Sequence, residues 1–486
     1  MSFKPLSRDS DNNILLPTKS KRSQSALEYM MTYGWAILII VIVAVILYSM
    51  GIFNPSSSIT FTSSGFSPFT VSSSLCNNLG YKIAVLAGPI PNNANSLQID
   101  KVYLTSATGA NATTASYTLK NPVTLKSGQS ATILIPNVAC NAANVHYSIS
   151  ANIQYSYTAS TLGLQTVNTT GTVAGTSISG KPSVLTSYEP VTITNSQSSA
   201  TPSPFQQMVN FTSSDPGWAS ISTGNFGQNV EFFYYNGTVI PSWLENYTSD
   251  NATWWLKIAA IPAGSSETVY VGFASTSTNL FNTVNDGEAP ELSSTYAEYD
   301  DGAALFNYYQ RFGDLSSLPS GWTSVGDAVI IYNKDDIKLY SSDPCVGGVI
   351  GSNSISVSLP LTYEFYGTMK GNSCGNYLVM GNFGLTSNGN LYAGSNYETY
   401  PNSIPDPSNI SNPYIYTFNI ISSDKETASL NGASISYTWS SNQGTPSNFV
   451  FNSNNGAENG MVIYWAITRE YPPNGVMPSV SFGSVA

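Results

Sequence analysis

Residues 34–53, GWAILIIVIVAVILYSMGIF, carry no charge and are mostly apolar. A helix of about 20 such residues crosses a hydrocarbon core of about 30 Å, and inside lipid a single segment must satisfy its own backbone as a helix. No charged residue stands between Glu28 and Lys82. Tyr29, Tyr33 and Trp35 lie at one end of the run, and Tyr48 and Phe53 at the other, where interfacial aromatics collect. Residues 1–23 hold five cations (Lys4, Arg8, Lys19, Lys21, Arg22) and two anions, Asp9 and Asp11. This asymmetry predicts a single-pass anchor with a cytoplasmic N-terminus and everything beyond residue 54 outside the cell. A signal-peptide apolar stretch is shorter and ends in small residues.

Just before the span the chain reads Lys21-Arg22-Ser23-Gln24-Ser25-Ala26-Leu27-Glu28-Tyr29. This run resembles the processing site of archaeal class III signal peptides and type IV pilin-like proteins. The resemblance covers about 35 residues and implies cleavage between Ser23 and Gln24 by a prepilin-type peptidase. It places Glu28 at the position where the family carries a Glu entering the apolar helix. Ser23 departs from the family's usual glycine before the cut. A carboxylate within a membrane helix costs up to roughly 3 kcal/mol at its centre, so it is usually kept for a partner. In a homo-polymer that partner is the new α-amine of Gln24 on a neighbouring subunit. The competing readings are a hydrated Glu28 at the interface and an uncleaved anchor.

Beyond the span, composition turns polar without turning charged. Asp, Glu, Lys and Arg make up 9% of the 486 residues, against roughly 25% in ordinary globular chains. Aromatics reach 12%, too many for a disordered tail. Residues 24–486 carry 12 cations and 26 anions, a balance that excludes nucleic-acid binding. So little surface charge hints at an acidic habitat. With one histidine, His146, most metal sites and acid–base triads fall away. No metal or other cofactor is called for. Cys76, Cys140, Cys345 and Cys374 form no C-x-x-C pair. Their segregation suggests Cys76–Cys140 and Cys345–Cys374 disulfides in an oxidising exterior, the alternative being four buried thiols.

The fold class expected is mainly β: an N-terminal transmembrane helix followed by tandem β-sandwiches, the last a jelly roll. After a basic leader (1–23), the helix (24–53) and a linker at Asn54-Pro55-Ser56, residues 59–180 alternate as strands. Examples are Tyr81–Leu86, Lys101–Leu104, Ala131–Ile135 and His146–Ile153, with His146 read as structural or exposed. Residues 184–278 contain Thr192-Ile193-Thr194-Asn195, Pro241-Ser242-Trp243-Leu244-Glu245, Ile261-Pro262-Ala263-Gly264 and Tyr270-Val271-Gly272-Phe273. That order resembles a surface module known only as a domain of unknown function, which often precedes a concanavalin A-like (laminin G-like) domain. Residues 279–486 fit such a jelly roll with its lead-in. Asn388-Gly389 and Asn431-Gly432 mark hairpins. Met461–Ile467 reads as a strand apolar on both faces, suited to the middle of a packed sheet.

Seven sequons begin at Asn111, Asn168, Asn210, Asn236, Asn246, Asn251 and Asn409, all on the predicted outer side and open to glycosylation. Tyr437, Trp439, Tyr464 and Trp465 are the aromatic candidates for a glycan platform, although aromatics also dominate cores. For catalysis, Glu298, Asp300 and Asp301 form the densest carboxylate cluster, but no second Glu follows at glucanase-like spacing. Asp300 and Asp301 read as a hydrated loop, with a calcium site as the alternative. Gly371-Asn372-Ser373-Cys374-Gly375 matches a nucleophile-elbow spacing, yet its surroundings are β and the only histidine lies far upstream. The sequence therefore points to a non-catalytic, pilin-like surface protein for adhesion or glycan recognition. The alternatives are a membrane-anchored glycan-active enzyme and an uncleaved envelope scaffold.

Overall fold

The computed structural model describes residues 61–486, together with 34, 37–39 and 41, which are helical. Within 61–486 it omits 92–93, 113–115, 136–137, 141, 344, 356, 370–373, 375, 381–382, 388–389, 394–403, 406–412, 431–432, 439–441, 447 and 457–458. The expected processing site at Ser23, Gln24 and Glu28, and most of the apolar run, lie outside the described residues. Among the described residues no helix is long and apolar enough to cross a membrane. The described chain is mainly β and divides into two compact units, ending and beginning at Ile178 and Ser179.

The first unit is a β-sandwich. One sheet runs in the order Thr62–Gly65, Gly163–Thr176, His146–Ala159, Leu97–Thr108 and Ser116–Leu125. The other is Phe69–Asn77, Gly80–Ala87 and Ser130–Ile135. Alternation along His146–Ala159 buries Tyr147, Ile149, Ala151 and Ile153 and turns the intervening residues outward. These meet Val71, Ile83, Val85 and Ile133 of the facing sheet. Cys76 and Cys140 are joined within this core. His146 is exposed.

The second unit holds two sandwiches that pack on one another. In the first, one sheet is Val230–Phe233, Ser265–Phe273, Ser187–Asn195 and Ser479–Phe482; the other is Phe205–Thr212, Asn251–Ile258, Ser242–Tyr247 and Asp286–Glu288. In the second, Ala328–Tyr332, Ile337–Ser341, Met461–Glu470, Leu361–Thr368, Tyr414–Ser422, Lys425–Leu430 and Ala433–Thr438 form one sheet, with Tyr308–Arg311 also on Met461–Glu470. Its partner sheet contains Trp322–Gly326, Gly348–Ser352, Phe449–Ser453 and Asn376–Met380, continued by Phe383–Ser387, Asn390–Ala393 and Ile404–Pro405. Tyr363, Phe365, Phe418, Phe449 and Phe451 fill the space between them. The strands flanking Asn388-Gly389 and Asn431-Gly432 pair antiparallel, while the turns themselves lie outside the described residues.

The structure does not close a module near residue 278. Ser479–Phe482 returns to pair with Ser187–Asn195, matching Thr192 with Ser481. Strand Asp286–Glu288 runs parallel to Ser242–Leu244 and extends the sheet that lies nearest the cleft described below. Residues 179–486 are thus one compact unit rather than a module followed by a separate jelly roll.

Candidate functional site

The strand Met461–Glu470 has two apolar faces because each meets a different core. Met461, Ile463 and Ala466 enter the second sandwich, whereas Trp465 and Ile467 turn to the other side. There they pack against Trp243, Trp255, Leu305 and Phe306. Trp243 and Trp465 meet edge to face at 5.3 Å. The outer face of the large sheet is therefore covered by the neighbouring sheet along part of its length. Where that cover ends, a seam is left open.

The seam is lined from both sides. Direct cross-strand pairing places Tyr366 beside Trp465, Glu364 beside Thr417, and Thr417 beside Ser429 on one sheet face. From the opposite side comes Glu245. Pairing with Asn251–Ile258 shifts register between Leu244 and Asn246, so Glu245 is the bulged residue. A bulge re-aims a side chain, and here it carries the carboxyl towards Trp255. The resulting cleft has a volume of about 430 Å³ and is lined by Glu245, Glu291, Tyr366, Thr417, Ser429 and Trp465, among others. An adjoining hollow of about 370 Å³ shares Glu245, Thr417 and Ser429 and adds Glu364, Arg469 and Tyr471.

Three carboxyl groups set the electrostatics. Arg469 donates to both oxygens of Glu364, at 2.9 and 3.1 Å, and Thr417 donates a third bond to Glu364 at 3.0 Å. The guanidinium of Arg469 also lies 4.6 Å from the centre of the Trp255 ring. Glu245 accepts from Trp255 Nε1 at 2.7 Å and from Asn246 Nδ2 at 2.8 Å. Burial nonetheless pushes its carboxyl up to about 7, against the pull of the Trp255 bond. Glu291 accepts from Trp465 Nε1 at 3.1 Å through one oxygen, while the other is buried without a partner. Burial raises Glu291 to about 8, and the nearby Glu245 and Asp300 add to the rise. In mild acid the cleft is thus an aromatic-walled, hydrogen-bonding surface with little net charge.

The aromatic candidates separate. Trp465 is fully buried in the seam and reaches the cleft only as its wall. Tyr464 is half-buried and packs against Tyr366 at 5.1 Å. Tyr437 is half-buried against the sandwich core, away from the seam. Trp439 lies outside the described residues. Tyr366, Glu245, Glu291 and Thr417 were not singled out in the sequence. The Trp243–Glu245 segment was visible there as a motif, but the bulge that gives it a purpose was not.

Asp300 and Asp301 do not form a hydrated loop. Asp300 accepts from Trp243 Nε1, the Gly302 amide and the Tyr309 hydroxyl. Asp301 is 1% exposed and neither of its oxygens has a hydrogen-bond partner. Glu298 is exposed. Among the described residues no group of three or more His, Cys, Asp or Glu side chains could hold a metal ion. Cys374 is disulfide-bonded to Cys345, so it offers no thiol beside the elbow-like spacing, the rest of which lies outside the described residues apart from Cys374 itself. Of the sequons, Asn111, Asn168, Asn210, Asn236 and Asn246 are exposed, Asn251 is half-buried, and Asn409 lies outside the described residues.

Residues 226–325 match the family model DUF2341, a domain of unknown function. The match starts later than the 184–278 segment and runs past it, taking in Glu245, Glu291, Asp300 and Asp301. An uncharacterised protein, 562, of Sulfolobus islandicus rod-shaped virus 1 is 37% identical over 130 residues. That alignment takes in 26% of this chain and 22% of the viral protein, so the chain spans about a fifth of that relative's length. Among solved structures, the exoplasmic/lumenal domain of VIP36 aligns in its Ca²⁺/Man2-bound form with 9% identity and a TM-score of 0.27. It covers 37% of this chain and 98% of that domain. The metal-free form gives 10% identity, a TM-score of 0.27, and coverage of 36% and 98%. Scores of this size do not bear on the fold or ligand of this chain.

Proposed function

We propose that this chain is a membrane-anchored, pilin-like extracellular surface protein that recognises a glycan in the seam cleft and does not turn it over. The observation that carries the recognition is the lining of the cleft. Tyr366 provides apolar ring surface over the buried Trp465, and Asn246, Thr417 and Ser429 place amide and hydroxyl groups around it. A sugar ring offers apolar C–H faces rimmed by hydroxyls, and a concave site with a few convergent polar groups suits it. The two-sheet architecture of 308–470 supports the jelly-roll reading of this region. Anchoring rests on the uncharged run 34–53, and filament assembly on the leader and Glu28.

The test is an array of neutral and uronic-acid-bearing oligosaccharides probed with the full chain. Binding above background is expected, with a loss of at least tenfold in Tyr366→Ala. Silence across the array defeats the recognition reading, and release of reducing ends from a bound sugar replaces it with an enzyme. N-terminal sequencing of the protein from its native membrane addresses the leader; a chain starting at Met1 defeats the pilin reading.

A further inference from the structure

Between Asp286 and Asp301 the chain carries six acids, Asp286, Glu288, Glu291, Glu298, Asp300 and Asp301, and no Lys, Arg or His. In a chain with so little charge, this density is out of proportion. The segment lies across the second unit as a strap. Its start, Asp286–Glu288, pairs with Ser242–Leu244, and Ala289 N–H donates to Leu244 O at 2.7 Å. Trp465 holds Glu291, and Trp243 and Tyr309 hold Asp300. Glu288 N–H donates to Tyr299 O at 3.1 Å, tying the two ends of the strap together.

Several of these acids are sealed from water. Asp286 is 2% exposed, Asp301 1% and Glu288 6%. Both oxygens of Asp301 and one oxygen each of Asp286 and Glu291 are buried without partners. Asp301 sits directly on the backbone of Gly287, where a Cβ would come within 2.0 Å of its Oδ1. The groups facing the strap are mostly acids too. Glu231, from Val230–Phe233, repels charge on Asp286, and Glu245 repels charge on Glu291. Burial raises the Tyr296, Tyr309, Tyr366 and Tyr464 hydroxyls, with Glu291 adding to each, so these neighbours stay un-ionised and bring no further charge. Of the cations packed nearby, Arg311 engages the far end of the strap, acting on Asp300 and donating to Ala297 O, whereas Lys257 donates to Ala304 O and Arg469 is paired with Glu364.

A buried carboxylate without donor or counter-charge costs several kcal/mol, so such a group stays neutral or leaves its site. We propose that residues 286–301 form a proton-held strap. Protonated Asp286 and Asp301 let it lie closed, and their ionisation releases it, removing the wall that Glu291 and Leu292 give the cleft. The ligand role of that cleft rests on the preceding reading, whereas the strap itself does not. Burial raises Asp286 to about 8, with Glu231 adding and the Asn282 and Ser242 side chains opposing through its other oxygen, and Asp301 to about 9, with Asp300 and Asp286 adding against the weaker pull of the Gly287 backbone. Because both folded values lie above the unfolded ones, stability is greatest below pH ~4 and falls as pH rises towards 8–9.

Seven of the eight tryptophans lie in 179–486, so tryptophan fluorescence of the full chain reports chiefly on this unit. In thermal unfolding without ligand, Tm is expected to fall by at least roughly 10 °C between pH 5 and pH 9. Asp286→Asn with Asp301→Asn mimics the protonated pair; the double variant should lose more than half of that fall and unfold at a higher temperature than wild type at pH 9. Either single variant should show part of the effect. Hydrogen exchange, corrected for its intrinsic pH dependence, should accelerate at pH 9 within 286–301 more than within Ile337–Ser341. A flat wild-type Tm, or an unchanged slope in the double variant, overturns the proposal. So does recovery of the wild-type Tm at pH 9 on adding CaCl₂, which would replace the proton with a cation. Silence on the glycan array leaves these outcomes untouched.

Discussion

Arg469 makes three different contacts in one place: a two-pronged bond to Glu364, stacking over Trp255, and a favourable field on Glu245. The side chains of Arg469 and Glu364 are 9% and 5% exposed. Two well-packed apolar residues can match such a pair in stability, but removing one partner strands a buried charge. Arg469→Met should therefore destabilise the chain by about 3–5 kcal/mol at pH 7 in urea unfolding followed by tryptophan fluorescence. Adding Glu364→Leu should recover most of that loss. A single-variant cost below about 1 kcal/mol would show that Glu364 reaches water or another donor. None of this was readable from the sequence, where Arg469 and Glu364 stand 105 positions apart. Glu245 was nearer to legibility, because alternation sets it on the same face as Trp243. Its bulge, and hence its place in the cleft, depends on the partner strand.

The strand Ser479–Phe482 shows what a distant element contributes. It extends the sheet beside Ser187–Asn195, its Phe482 ring lies 4.2 Å from that of Phe211, and Gln207 Nε2 donates to Pro478 O at 3.0 Å. A chain ending at Pro478 should lose on the order of 3 kcal/mol through lost burial and pairing. It should also present the edge carrying Val191 and Ile193 to other chains. Light scattering during a thermal scan should rise earlier than for the full chain; coincident curves would mean that the edge is covered without this strand. Strands themselves were largely legible, because burial on one face leaves period-two alternation, as in His146–Ile153 and Tyr81–Leu86. The Met461–Ile467 strand was legible as doubly buried for the converse reason, because burial on both faces replaces alternation with a continuous apolar run. The boundary near 278 misled because polar turns mark local chain direction, whereas the pairing of Thr192 with Ser481 leaves no local mark. The hydrated-loop reading of Asp300 and Asp301 failed likewise: local polarity does not reveal a sheet that folds over it.

At the scale of the molecule, the scarcity of charge and the burial of acids point the same way. Acidic residues outnumber basic ones by 28 to 17, and several acids lie in the second unit where water does not reach. Such a fold is better suited to acid than to alkali, which gives physical content to the habitat suggested by composition. Glu189 tests this away from the strap and the cleft. It lies in Ser187–Asn195, is 0% exposed, and neither carboxyl oxygen has a partner. Burial pushes it up to about 7, and the charge on Asp215 adds to the rise. Below pH ~4 the group is protonated whether folded or unfolded and contributes no pH-linked penalty. Between there and about 7 the folded state must hold a proton that the unfolded chain has given up, so stability drains away as pH rises. Glu189→Gln removes the titration and retains the shape. In urea unfolding it should leave stability at pH 4 nearly unchanged and raise it by on the order of 2 kcal/mol at pH 9. An equal change at both pH values would trace the effect to packing against Gly217, whose Cβ position lies 2.3 Å from Glu189 Oε2, and would remove Glu189 from the set of proton-dependent contacts.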